Sequence, residues 1–70
     1  MKVISIYNSD NGLRTSIVTL NAVSNTYFVE KYEMSNNQKS SFYDVETFNA
    51  IDVAEDYAED WVKYEWYYYN

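Results

Sequence analysis

Asn49-Ala-Ile-Asp-Val-Ala-Glu-Asp-Tyr-Ala-Glu-Asp-Trp-Val-Lys-Tyr-Glu65 is the one stretch of this chain with a clear period, and it predicts an amphipathic helix over about residues 50–66. At 100° per residue, Ala50, Val53, Ala54, Tyr57, Ala58, Trp61 and Tyr64 fall on one side. Asp52, Glu55, Asp56, Glu59, Asp60 and Lys63 fall on the other. Asn49 is placed to cap the N-terminus, with Asp52 three residues on as a short capping-box acid and Phe48 ahead of it to staple onto Val53. The acids crowd the early turns and Lys63 comes late, the order that the helix dipole favours. A helix with one apolar side needs a second layer, which the preceding residues must supply.

That layer reads as four strands. Residues 2–8 carry Val3, Ile4, Ile6 and Tyr7 among short polar residues. Asn8-Ser-Asp-Asn-Gly12 is the strongest turn signal; Gly12, the only glycine, supplies with Asn11 the positive φ of a tight hairpin. Residues 13–20 are rich in β-branched side chains. Asn21-Ala-Val-Ser-Asn25 is a softer turn built on side chains that bond to nearby backbone. In residues 26–34, Tyr27, Val29 and Lys31 share one face and Phe28, Glu30 and Tyr32 the other. Ser35-Asn-Asn-Gln-Lys39 is a polar loop tip. Residues 40–46 form a fourth strand, with Tyr43 and Val45 facing opposite to Phe42 and Asp44. Short links favour an antiparallel meander. The expected fold is a single α+β domain over 1–70: a four-stranded antiparallel meander sheet with one C-terminal amphipathic helix across one face.

Seventy residues without cysteine build a small core, yet 20% of them are aromatic and nine are tyrosine. Aromatics beyond what such a core can bury point to an open sheet face and a homodimer. Of the last seven residues, five are aromatic, so Trp66, Tyr67 and Tyr68 form a candidate anchor for a partner. The start holds too short an apolar run for a signal peptide, no stretch has the length of a membrane span, and the expectation is cytoplasmic.

The net charge of −6 is lopsided. Residues 1–43 hold three acids and four bases; residues 44–70 hold eight acids and one base. Acids in a row on a helix keep a small protein soluble; at helical spacing they can also imitate a phosphate backbone and engage a basic groove. Asp52, Glu55, Asp56, Glu59 and Asp60 are therefore the candidate partner-binding face. The pairs Asp52/Asp56, Glu55/Glu59 and Asp56/Asp60 have the spacing to hold a hard cation or move protons. They lie on the solvent side of the predicted helix, so no metal, cofactor or catalytic residue is assigned. Without histidine or cysteine the commonest general base, the thiol nucleophile and the usual transition-metal ligands are missing, and an enzyme is not expected. A second reading uses the sheet: strand aromatics can stack bases, with Arg14, Tyr27, Lys31, Tyr32, Lys39 and Tyr43 as the set for a single-stranded nucleic acid.

The run Val53-Ala-Glu-Asp-Tyr-Ala-Glu-Asp-Trp-Val62, behind a Tyr-rich strand, a polar turn and a strand ending near Phe48, resembles small uncharacterised proteins of marine T4-like cyanophages. Those carry a similar Ala-Glu-Asp-x-Ala-Glu-Asn-Trp-Val helix after a β-hairpin. The resemblance covers about residues 26–62 and implies a hairpin-plus-helix architecture and a phage origin, hence the host cytoplasm. It carries no functional residue across. The chain departs from it at the hairpin tip, Asn36-Asn37 in place of Asn-Gly, and in the aromatic run beyond Trp61-Val62. Four strands followed by a helix is also similar in element order to the transcriptional-coactivator type of single-stranded-DNA-binding fold. The leading expectation is a small acidic non-enzymatic binding protein, phage-encoded, that engages a host macromolecule through the acidic helix face and the aromatic tail. The alternative is a coactivator-type nucleic-acid binder using the sheet face.

Overall fold

The computed structural model describes residues 1–34 and 40–63. The chain forms β1 (Lys2–Asn8), β2 (Arg14–Asn21), β3 (Thr26–Met34), β4 (Ser40–Phe48) and α1 (Ile51–Lys63). The strands lie in the order β1-β2-β3-β4, all antiparallel, and α1 crosses one face. This is the α+β meander that the apolar periods predict. Strand β4 runs two residues beyond the predicted Glu46, to Phe48. The predicted helix residues 64–66 and the loop tip 35–39 lie outside the described residues.

Both described turns are built by short polar side chains. Gly12 takes φ 75°, and its amide donates to the Ser9 carbonyl at 3.0 Å. Asn11 Oδ1 accepts from the Leu13 amide at 2.9 Å, and Ser9 Oγ accepts from the Arg14 amide at 2.9 Å. In the second turn Asn21 Oδ1 accepts from the amides of Val23 and Ser24, and Asn25 takes φ 57°. Asparagine tolerates that left-handed region better than most L-residues, because its short side chain bonds locally.

Two bulges decide which side chains meet the helix. On β1 the pairing slips between Val3 and Ser5, so Ile4 is the extra residue. Val3 and Ile6 then share the face away from the helix, while Ile4 and Tyr7 pack against the core. On β4 the pairing slips opposite Lys31 and Tyr32, and Tyr43 is the extra residue. Asp44 Oδ1 accepts from the Val45 amide at 2.8 Å beside this bulge. Strict alternation fails here as a result. Tyr43 lies with Trp61 on the helix side, whereas Val45 lies opposite Glu30 on the open face together with Phe42.

Beneath the helix, Val18 and Val29 of the two central strands meet Ala54 and Ala58, all fully buried. Trp61 and Val62 close the core at the far end. Small alanines let the helix approach closely, and Ser16 Oγ donates to the Ala58 carbonyl at 2.7 Å across that contact. The helix is turned about 60° from the expected orientation, by its 100° per residue. Val62 is buried in place of Val53, which is half exposed, as is Ile51. The cap differs as well: the Ala50 carbonyl accepts the bond from the Ala54 amide, which puts Ala50 rather than Asn49 at the N-cap. The Phe48 ring packs on Tyr57, centroids 5.2 Å apart, and Val53, its expected staple partner, is 50% exposed.

Candidate functional site: an acidic ridge on a clamped helix

The five acids assigned to one helix face separate into two kinds. Glu55 is half-buried against β1: Ser5 Oγ donates to Glu55 Oε2 at 2.5 Å, and the Tyr7 hydroxyl donates to Glu55 Oε1. The bonded carboxylate beside it pushes the Tyr7 hydroxyl up to about 12, helped by burial. Glu59, also half-buried, accepts from Lys63 Nζ at 3.0 Å, four residues along. Asp52, Asp56 and Asp60 remain exposed, with no hydrogen bond or ion pair among the described residues. Spaced four apart, they make a ridge with about 6 Å of axial rise between neighbours, on the side facing away from the sheet.

The C-terminal half of the helix is held by two cations from the sheet. Arg14 is buried; its Nε donates to Glu33 at 3.0 Å and its Nη1 to the Trp61 carbonyl at 3.1 Å. The guanidinium lies 4.7 Å from the Trp61 ring. Lys31, also buried, donates from Nζ to the Tyr57 hydroxyl at 2.6 Å and stands 3.5 Å from Glu46 and 3.7 Å from Asp44. The rings of Tyr57, Tyr43 and Trp61 surround it. Burial draws the Lys31 ammonium down, but the Tyr57 bond and the two carboxylates outweigh it and leave the group raised. A buried cation with this set of partners is a structural anchor. Neither cation could be recognised as buried from its own position. The signal in the sequence was the shared face, since Lys31 alternates with Val29 and Arg14 with Val18, the two buried core valines.

The set assigned to nucleic-acid binding is thereby divided. Arg14, Tyr27, Lys31 and Tyr43 lie on the helix-covered side of the sheet, and Tyr32 lies on the open face. Lys39 falls outside the described residues, as do Trp66, Tyr67 and Tyr68 of the partner-binding set. The open face consists of three cross-strand rows: Val3–Thr19–Phe28–Thr47, Ile6–Ile17–Glu30–Val45 and Asn8–Thr15–Tyr32–Phe42. These rows contain no cation and a single carboxylate, Glu30, which accepts from the Tyr32 hydroxyl at 2.9 Å. Val3, Ile6, Phe42 and Val45 are 56, 57, 59 and 40% exposed on it.

Among the described residues no three His, Cys, Asp or Glu side chains come close enough to hold a metal ion. A shallow hollow beside Met34 and Phe42, lined also by Glu33, Ser41 and Tyr43, is open to solvent. No described helix is long and apolar enough to cross a membrane. No family model matches the chain, and no curated protein or solved structure matches it.

Proposed function

We propose that the protein is a non-catalytic binding module that presents a rigid acidic ridge to a basic surface on a macromolecule of its host. The observation that carries this reading is the sorting of the helix carboxylates. Glu55 and Glu59 are tied to their own chain, while Asp52, Asp56 and Asp60 stand exposed in a row on the solvent side. A ridge on a helix clamped at both ends loses little conformational freedom on binding, which favours affinity. Its field attracts cationic surfaces and repels nucleic acid. The cyanophage likeness of residues 26–62 supports a phage-encoded origin and a host partner in the cytoplasm. The aromatic residues Trp66, Tyr67 and Tyr68 are proposed as a second contact.

The test is fluorescence anisotropy with a labelled oligolysine and a labelled single-stranded oligonucleotide, both at low salt. Oligolysine is expected to bind and the oligonucleotide to stay free. The double variant Asp52→Asn/Asp56→Asn should weaken oligolysine binding several-fold. The single variant Asp10→Asn, off the ridge and off the sheet face, should weaken it far less than Asp56→Asn alone. Equal losses in these two single variants would reduce the ridge to net charge alone. Salt-sensitive oligonucleotide binding would overturn the reading in favour of a nucleic-acid partner.

A further inference from the structure

We infer that the open sheet face is a self-association surface, on which a second copy of this chain packs face to face with β1 of one copy over β4 of the other. The inference rests on the sheet face and is independent of the acidic ridge on the other side of the molecule. Four strands at about 4.8 Å spacing, each about eight residues at about 3.3 Å, give a footprint of roughly 500 Å². With side-chain relief this amounts to about 700 Å² of accessible surface per copy, or roughly 1,400 Å² for the pair, within the range of stable interfaces.

Charge selects a second copy as the occupant. A chain of net charge −6 meets another at a cost wherever both present acids. The cross-strand rows of this face carry one carboxylate, and that one is already hydrogen-bonded by Tyr32. Packing here sends the two acidic ridges outward on opposite sides, as far apart as the molecule permits.

Shape selects the orientation. The bulky side chains Phe28, Tyr32 and Phe42 lie on β3 and β4, and the slimmer Val3, Ile6 and Ile17 lie on β1 and β2. A two-fold axis parallel to the strands sets the bulky half of each copy on the slim half of the other. In the central row this places Ile6 over the second copy's Val45, and Ile17 over its Glu30. The two Glu30 carboxylates are then offset rather than opposed. A two-fold axis across the strands would instead stack each strand on itself and bring Glu30 towards Glu30.

The chain has no cysteine, so engineered thiols report the geometry directly. Sedimentation equilibrium of the full chain at high micromolar concentration is expected to show a dimer. Ile6→Lys and Val45→Lys, each checked for folding by circular dichroism, should each weaken it about tenfold or more, because each sets a charge in an apolar contact. Mixing Ile6→Cys with Val45→Cys protein under mild oxidation should give chiefly the mixed disulfide. A monomer at that concentration overturns the inference, as does a dimer indifferent to both lysine variants. Predominant Ile6→Cys self-crosslinking overturns the β1-over-β4 arrangement.

Discussion

Tyr7 and Glu55 meet where β1 touches the helix, and their bond ties stability to alkaline pH. The Tyr7 hydroxyl ionises at about 12 in the folded chain and near 10 in an unfolded one. A group whose folded value is raised contributes stability that is complete below the unfolded value and is lost as pH climbs through the folded one. The raised Lys31 ammonium acts in the same direction, since it too is held in its protonated form. Thermal melts between pH 8 and 12 should therefore show a midpoint that falls above pH 10, and Tyr7→Phe should flatten that fall. At neutral pH Tyr7→Phe should cost about 1–2 kcal/mol, the scale of a hydrogen bond to a charged acceptor near the surface. A Tyr7→Phe chain as stable as wild type at pH 7, with an unchanged alkaline profile, would show that this clamp contributes nothing. Such a clamp was hidden in the sequence. Glu55 falls among five acids on the polar side of the helical wheel, and nothing in the wheel marks the one that reaches a tyrosine 48 positions earlier.

The helix sits on the sheet through alanines, and element-scale predictions follow from that spacing. Ala58 is fully buried over the central strands, with its carbonyl bonded by Ser16. Ala58→Leu adds volume where the helix has no room to lift without breaking the Arg14 and Ser16 bonds. It should destabilise by about 1–3 kcal/mol, measured by urea unfolding. Asp56→Leu, on the exposed ridge, should stay within about 0.5 kcal/mol. Comparable losses in the two variants would contradict the docking described above. At this scale much of the fold could be read directly. The Asn11-Gly12 turn, the strand limits of β1 and β3, and the helix itself follow from turn chemistry and apolar period. The faces were harder to assign. Each bulge puts two neighbouring residues on the helix side, Ile4 with Ser5 and Tyr43 with Asp44, and a strand read by strict alternation has no place for such a pair. Strict alternation therefore puts Tyr43 and Val45 on one face, whereas the bulge turns Tyr43 towards the helix and leaves Val45 on the open face. The helix orientation goes with tertiary contacts that no helical wheel contains, those of Glu55 with Ser5 and Tyr7, of the Ala58 carbonyl with Ser16 and of the Trp61 carbonyl with Arg14.

For the whole molecule, the two proposed surfaces respond to salt with opposite signs, and one experiment separates them. The acidic ridge would engage its partner through exposed charges, whose attraction is screened over about 10 Å at 0.1 M salt and about 3 Å at 1 M. Its affinity for oligolysine should fall steeply between low and high salt. The sheet face is apolar, and what opposes its pairing is repulsion between two chains of net charge −6. The same screening removes that opposition, so the dimer should hold or tighten as salt rises, more so in sulfate, which strengthens apolar burial. Both quantities can be followed on one sample by sedimentation with labelled oligolysine at rising salt. Loss of the dimer in parallel with loss of oligolysine would mean that charge, not apolar area, joins the copies, and would move the interface off the sheet. Oligolysine binding that survives high salt would remove the ridge as its site. Opposite slopes would support a two-sided architecture, with an apolar face turned inward between two copies and an acidic ridge carried outward on each.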